Sequence, residues 1–456
     1  MSMINPVIKL FIQFKLRRRV VLSRFDVHRS HPYNCKLSSS NETVNQLAED
    51  LYKTIEIDKT KKQGLKRDCV MTTLLNLKYS WDTSSYLRVS KDMNYYANYP
   101  KRYKYHFYTY KIINGVVNGL EKQGKIEVLT GFKNFNDNSG QQTKIRPTDE
   151  FAEELKTIKR DMYEEQKPPE FLILKNRNGN KNYKSYFDTN QTSKMRNSLV
   201  AYNEVRQSNL IDLREVDMNE LDADETDKVK DFYNKFALTE DYYQSNIPLR
   251  NPFIYRVFND TFKLGGRYYG GIESNMPKIL RSKIHINREE TVEKDFSSMH
   301  IRMLYHLEGI EYNEDAYNVV SKDDPELRKL YKLIGLVTIN SKDSKNAING
   351  IRNEVRDKNL FHLLPDLKDE SIKPYLDKWV SAHPRISKYL NSDYGIKLQN
   401  IDSMIAQDIV NHFTKQRKVV LVVHDSFVVS KEHESDLVSI MEESYYSKLK
   451  YKAIIN

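Results

Sequence analysis

The sequence predicts an α+β fold, on three observations. Helical periodicity through residues 66–155 closes on two short strands around an Asn- and Gly-rich turn. Near the C-terminal end, the apolar run Val419–Ser430 is interrupted by His424, Asp425 and Ser426. Upstream, a short strand ending at Asp295 runs directly into an amphipathic helix with Met299, Met303 and Leu307 on one stripe. With 456 residues the chain has room for two or three domains, and its 31 Tyr and 18 Phe can build cores in a sequence only 39% apolar.

Composition narrows the setting. The charge balance, 73 − 62 = +11, makes a polyanion the first partner to consider. The mean hydropathy is −0.70, and no run approaches the ~18 consecutive apolar residues of a membrane span. Two cysteines, Cys35 and Cys69, are too few for a disulfide framework or a cysteine zinc cluster, so a reducing, intracellular (cytoplasmic) setting is expected.

Residues 1–60 read as a basic, loosely packed arm that ends in a short helix, Val44–Thr54. In it Lys15, Arg17, Arg18 and Arg19 follow the apolar residues, the reverse of a secretory signal. Residues 61–155 read as one unit: helices Arg67–Asn76, Ser84–Tyr99 and Phe107–Gly124, then strands Ile126–Leu129 and Thr143–Pro147 around the turn Lys133–Gln142. Helices followed by a two-stranded wing resemble a winged helix-turn-helix. On that resemblance Tyr103–Asn118 holds the recognition helix. Lys101, Arg102, Lys104 and Lys111 lie near its start, and Lys133, Lys144 and Arg146 lie on the wing, where phosphates would be met. The alternative is a small α/β scaffold domain. Residues 156–249 read as a charged helical connector, with acidic Asp212–Lys230 a solvated helix that lacks the oxygen spacing and Gly turn of a metal loop.

Residues 250–456 carry the chemistry. A carboxylate buried without a partner at a strand end is expensive, and a metal ion would remove that cost. Two such carboxylates, Asp295 and Asp425, are what two-metal phosphoryl transfer requires. Asp295-Phe-Ser-Ser-Met-His-Ile-Arg302 resembles motif A of the family A DNA polymerases and the related single-subunit phage and mitochondrial RNA polymerases. His424-Asp425-Ser426-Phe427 is similar to their motif C, and Arg328-Lys-Leu-Tyr-Lys332 to the start of motif B. Gly265-Gly-Arg-Tyr-Tyr-Gly270 with Asn275-Met-Pro277 resembles the stretch before motif A, and Gln399 with Asp402–Ile409 the helix before motif C. The resemblance spans roughly residues 250–445, with the motifs in family order.

The resemblance implies a right-hand palm and fingers, with an antiparallel palm sheet and helical fingers. It also implies a template-directed nucleotidyltransferase that uses DNA template and primer (or transcript), nucleoside triphosphates and no membrane. Asp295 and Asp425 would hold two Mg²⁺ ions, with Mn²⁺ able to substitute, and His424 would support the primer end. Arg328 and Lys332 would contact the triphosphate, while Arg267 and Gln399 would grip nucleic acid. His300 stands where the DNA polymerases carry Glu and the RNA polymerases Gly, beside the 2′ carbon, and its bulk favours the deoxy form. The fingers helix departs from the family in ending on Asn340-Ser341 rather than an aromatic residue and Gly. A small polymerase of a mobile element or phage is the first expectation. A DNA-binding replication initiator or regulator with an inactive polymerase-like half is the second.

Overall fold

The computed structural model describes residues 25, 28–133, 140–177, 183–235, 247–248, 252–318 and 324–456. The basic residues Lys15, Arg17, Arg18 and Arg19 and the tip of the turn at 134–139 lie outside them, as does the side chain of Lys133. The chain divides into two compact units: Met1–Glu170 with Asp217–Gln244, and Phe171–Val216 with Ser245–Asn456.

In the first unit, β1 (Ser30–Pro32) pairs in parallel with β2 (Tyr86–Val89). Helix α1 (Glu42–Thr54) begins where the Asn41 side chain accepts the Val44 N–H, and it buries Val44, Ala48, Leu51 and Tyr52. Residues expected in a loose arm are therefore part of the core. Helix α2 (Gln63–Asp82) outruns the expected Arg67–Asn76 at both ends. Ser84–Tyr99 is not one helix but β2 followed by the single-turn α3 (Met93–Ala97). Buried Tyr86, Leu87 and Val89 suit a sheet, and the Ser90 and Asp92 side chains accept the N–H groups of Asp92 and Asn94, which breaks any helix there. Helix α4 (Tyr110–Lys122) is capped by Thr109 and stopped near Gly124, whose φ of +66° suits only glycine well. Strands β3 (Ile126–Leu129) and β4 (Thr143–Pro147) pair antiparallel, giving the sheet order β1-β2-β4-β3, and the short α5 (Asp149–Leu155) follows. Leu74, Leu75, Ile113, Val117, Leu120 and Ile145 are fully buried between helices and sheet.

The second unit starts with β5 (Leu172–Lys175) and α6 (Asn190–Gln207), which the sequence reading placed in a connector. Strand β6 (Ile211–Leu213) follows, with Asp212 buried, so the acidic stretch begins inside a sheet rather than in solvent. Then come β7 (Ile247–Pro248), β8 (Tyr255–Asn259), β9 (Thr261–Tyr269), β10 (Ile284–Ile286) and β11 (Glu289–Asp295). Helices α7 (Met299–Leu307), α8 (Pro325–Asn340), α9 (Ser344–Asp357), α10 (Asp369–Ala382) and α11 (Gly395–Lys415) precede the hairpin β12 (Leu421–Val423) and β13 (Ser426–Ser430) and the last helix α12 (Glu434–Leu449). One six-stranded sheet runs β7-β6-β10-β11-β13-β12, and a three-stranded sheet runs β9-β8-β5. The apolar stripe of α7 keeps Met299 and Met303 buried, but Leu307 is exposed. The main core gathers around Trp379 of α10, and Gly335 of α8 lies so close that an added Cβ would meet the indole at 2.7 Å. No described helix is long and apolar enough to cross a membrane.

Candidate active site

Adjacent strands bring the two aspartates together. Strands β11 and β13 pair antiparallel with Asp295 opposite Ser426, and the Phe296 N–H donates to the Asp425 carbonyl at 3.5 Å. His424 and Asp425 form the two-residue turn of the β12–β13 hairpin. His424 takes a φ of +58°, a conformation that costs a non-glycine residue about 1 kcal/mol and so needs a compensating role. Across the site, β11 ends at Asp295 and the chain turns through Ser298, also left-handed at φ +47°, into α7.

The electrostatics follow from this crowding. Burial, and then the Asp425 charge beside it, raise the Asp295 carboxyl to a pKa of about 6; Lys332 and Lys278 oppose the shift. Lys332 lies on α8, near enough for its charge to act on Asp295. Burial, then Arg267, pull the His424 imidazole below its ordinary value, with Asp425 opposing. The raised Asp295 makes a stability prediction. A carboxyl that binds its proton more tightly when folded lowers stability as pH rises from ~4 through ~6. Asp295→Asn should therefore stabilise the metal-free protein at pH 7.5, by up to about 1 kcal/mol once screening of a half-buried group is allowed for, and leave it unchanged at pH 4. Thermal melts at the two pH values read this directly, and an equal effect at both would mean that the folded chain does not raise the Asp295 carboxyl.

A second cluster flanks the pair. Gly265 and Gly266 of β9 have φ of +68° and +100°, and a Cβ on Gly266 would strike Phe258 at 2.5 Å and Ser403 at 2.9 Å. Glycine thus lets β9 run against α11. Arg256, fully buried, fastens the two by donating to the Gly266 carbonyl at 2.6 Å and to Ser403 Oγ at 3.0 Å. The next residue, Arg267, donates from Nε and Nη2 to Asp402 Oδ2 of α11 at 3.0 and 2.5 Å. His300 Nε2 lies 2.8 Å from the same oxygen. Arg267 holds its proton more tightly than usual, because Asp402 outweighs the opposing effect of burial, and Asp425 adds to it.

Of the residues singled out in the sequence, Asp295, Asp425, His424, Lys332, Arg267 and His300 converge here. Arg328 lies on the first turn of α8 but donates to Asp315 at 2.6 Å and stacks over Tyr317. Asn340, at the end of α8, donates to the Leu336 carbonyl at 2.7 Å, while Gln399 is half-buried on α11. Tyr268 is a core residue, and Tyr269 is exposed against Tyr255.

The basic residues of the first unit need correction. Helix α4 starts at Tyr110, so Lys101 and Arg102 sit on a separate turn, Lys101–Tyr103, ahead of it. Arg102 pairs with buried Glu170 at 2.8 Å, and Lys104 donates to the Tyr96 carbonyl at 2.9 Å. On β4 both Lys144 and Arg146 are buried, with Arg146 donating to both oxygens of Glu127. Lys101 and Lys111 remain exposed.

Three site residues were given no role in the sequence reading. Asp402 falls on the apolar stripe of α11 with Leu398, Ile405 and Ile409, and a carboxylate on such a stripe is the signal that could have found it. Glu293, two residues before Asp295, accepts from Ser426 Oγ at 2.8 Å and from two nitrogens of Arg281. Tyr317, pushed up to about 12 mainly by burial, lies in a segment without periodicity, and nothing marked it.

No protein-family model matches the chain, and no curated protein matches it. Among solved structures it is similar to the POL domain of Pol1 from M. smegmatis in complex with DNA primer-template and dNTP. The identity is 11% and the TM-score 0.30 over 91% of this chain and 69% of that one, a likeness too weak to assign a fold.

Proposed function

We propose that the chain is a template-directed nucleotidyltransferase that extends a nucleic-acid 3′ end, with deoxynucleotides favoured over ribonucleotides. The observation that carries this reading is the pairing of β11 with β13, which sets Asp295 beside Asp425, where burial and then the neighbouring charge raise the Asp295 carboxyl. Phosphoryl transfer needs such a pair, because charge develops on both the attacking and the leaving oxygen.

Among the described residues no group of three or more His, Cys, Asp or Glu side chains is arranged to hold a metal. Two crowded carboxylates nonetheless fit Mg²⁺, which takes one or two protein carboxylates and fills its remaining positions with water and substrate phosphates. Asp295 and Asp425 would hold it, and bound there it would stabilise negative charge on the reacting oxygens, with Mn²⁺ able to substitute. Lys332, whose charge already acts on Asp295, would meet the triphosphate as a point charge. Arg328 would join it by exchanging Asp315 for a phosphate. Arg267, held by Asp402, would face the primer–template backbone near His424, with Gln399 beside it. Labelled dNTPs or NTPs incubated with primed template and Mg²⁺ test the reading: incorporation supports it. Duplex binding without incorporation would favour an initiator or regulator, a reading to which the Arg328–Asp315 pair and the Asn340-Ser341 helix end lend support.

For the first unit we propose duplex DNA binding. Support comes from the order helix α2, strand β2, helices α3 and α4, then strands β3 and β4, which is that of a winged helix-turn-helix. Of the basic residues that the resemblance puts near the recognition helix, Lys101 and Lys111 are exposed. Replacing both with Ala should reduce the salt dependence of duplex binding by about 1.8, since each phosphate contact contributes about 0.9 to the slope. Binding measured from low to moderate salt checks it, and an unchanged slope would leave the unit as scaffold.

A further inference from the structure

Two groups claim one ring nitrogen of His300. Nε2 is 2.8 Å from Asp402 Oδ2 and 3.2 Å from Arg267 Nη2. A single nitrogen cannot donate to a carboxylate and accept from a guanidinium at the same time. The shorter, charge-assisted contact decides for Nε2–H donating to Asp402. Asp402 is itself fixed: its side chain is 4% exposed, and the same oxygen takes two nitrogens of Arg267. Arg267 in turn is placed by the glycines of β9 and by Arg256 of β8, which ties Gly266 to Ser403 of α11. The imidazole is therefore pinned at one edge to a buried carboxylate that belongs to a different element. The half-buried ring belongs to the second residue of α7, five residues after Asp295.

We infer that Asp402 is a positioning residue that locks His300 as the Nε2–H tautomer in one ring orientation, and that this locked ring sets the preference between ribose and deoxyribose nucleotides. The sugar preference rests on the polymerase reading above; the tautomer does not. A ring free to turn yields space to an extra hydroxyl, whereas a pinned ring does not.

The test uses the full chain with ¹⁵N-labelled histidine, and His300→Gln identifies the His300 signals. In the wild type, nuclear magnetic resonance should find His300 as Nε2–H alone. Asp402→Ala should populate the Nδ1–H form. Should Asp402→Ala fail to fold, Asp402→Leu, close to it in shape and without an acceptor, carries the test, because only the Arg267 guanidinium then faces Nε2 and favours Nδ1–H. In parallel, the preference for deoxy- over ribonucleotides in primer extension should fall by about tenfold in these variants, to a level similar to that of His300→Gly, while the double variant adds little. If His300 remains Nε2–H alone without the Asp402 carboxylate, the inference is overturned. A changed tautomer with an unchanged sugar preference overturns the selectivity claim. If the wild type incorporates no nucleotide at all, the polymerase reading and the sugar preference fall together, and the tautomer result still decides whether Asp402 positions His300.

Discussion

Asp295→Asn and Asp425→Asn should each reduce nucleotide addition by a factor on the order of 10³ or more, and the double variant should be scarcely worse than either single one. Asp295 ends β11 and Asp425 lies in the turn that leads into its antiparallel partner β13, so they act at one place. Removing either leaves a single carboxylate where two are needed to hold divalent cations against developing charge. Fold is not the casualty. Asparagine keeps the shape of aspartate, and relief of the burial and like charge that raise Asp295 favours the folded chain at neutral pH. Duplex binding should persist, since the exposed cations Lys101 and Lys111 belong to the other unit. Rates measured at equal folded concentration check the prediction. Additive losses in the double variant would argue that the aspartates act separately.

The largest expected stability effect lies away from the chemistry. Arg206 of α6 and Glu273 are 1% and 3% exposed and form an ion pair at 3.0 Å, with a second contact at 3.3 Å. Removing the acid would leave a guanidinium deep in the second unit without its carboxylate, at a cost of about 3–5 kcal/mol. Glu273→Ala should therefore unfold that unit at markedly lower urea concentration. Replacing both partners together, as Arg206→Met with Glu273→Leu, should recover most of the loss, because the penalty comes from stranding a charge rather than from losing the pair. The two tryptophans serve as reporters: Trp81 lies in the first unit and Trp379 in the second, so a Trp81→Phe background lets Trp379 follow the relevant transition. If the double apolar variant is as unstable as Glu273→Ala, packing rather than charge is what the site supplies.

The parts of the fold legible in the sequence were those where local chemistry and burial agree. The segment Thr143–Pro147 read as a strand and is one, and the polar interruption of the apolar run falls at a real turn, His424–Asp425, with Ser426 opening the second strand. Asp295 at a strand end before a helix was legible for the same reason. Ser84–Tyr99 was misread because its helix-compatible residues hide two side-chain caps and a strand whose partner, β4, lies more than fifty residues away. The basic residues of the first unit misled because charge in a sequence does not say which cations are already paired: Arg102 and Arg146 have carboxylates of their own. Asp402 was passed over because its partners, Arg267 and His300, come from two other elements and meet it only in the fold.

Extension of one labelled primer on two templates that differ only in the bases beyond the primer, followed by sequencing of the products, tests the central claim most directly. The expected result is Mg²⁺-dependent extension whose added sequence is complementary to whichever template is present. Folded protein that adds nothing, or adds the same bases on both templates, would contradict it.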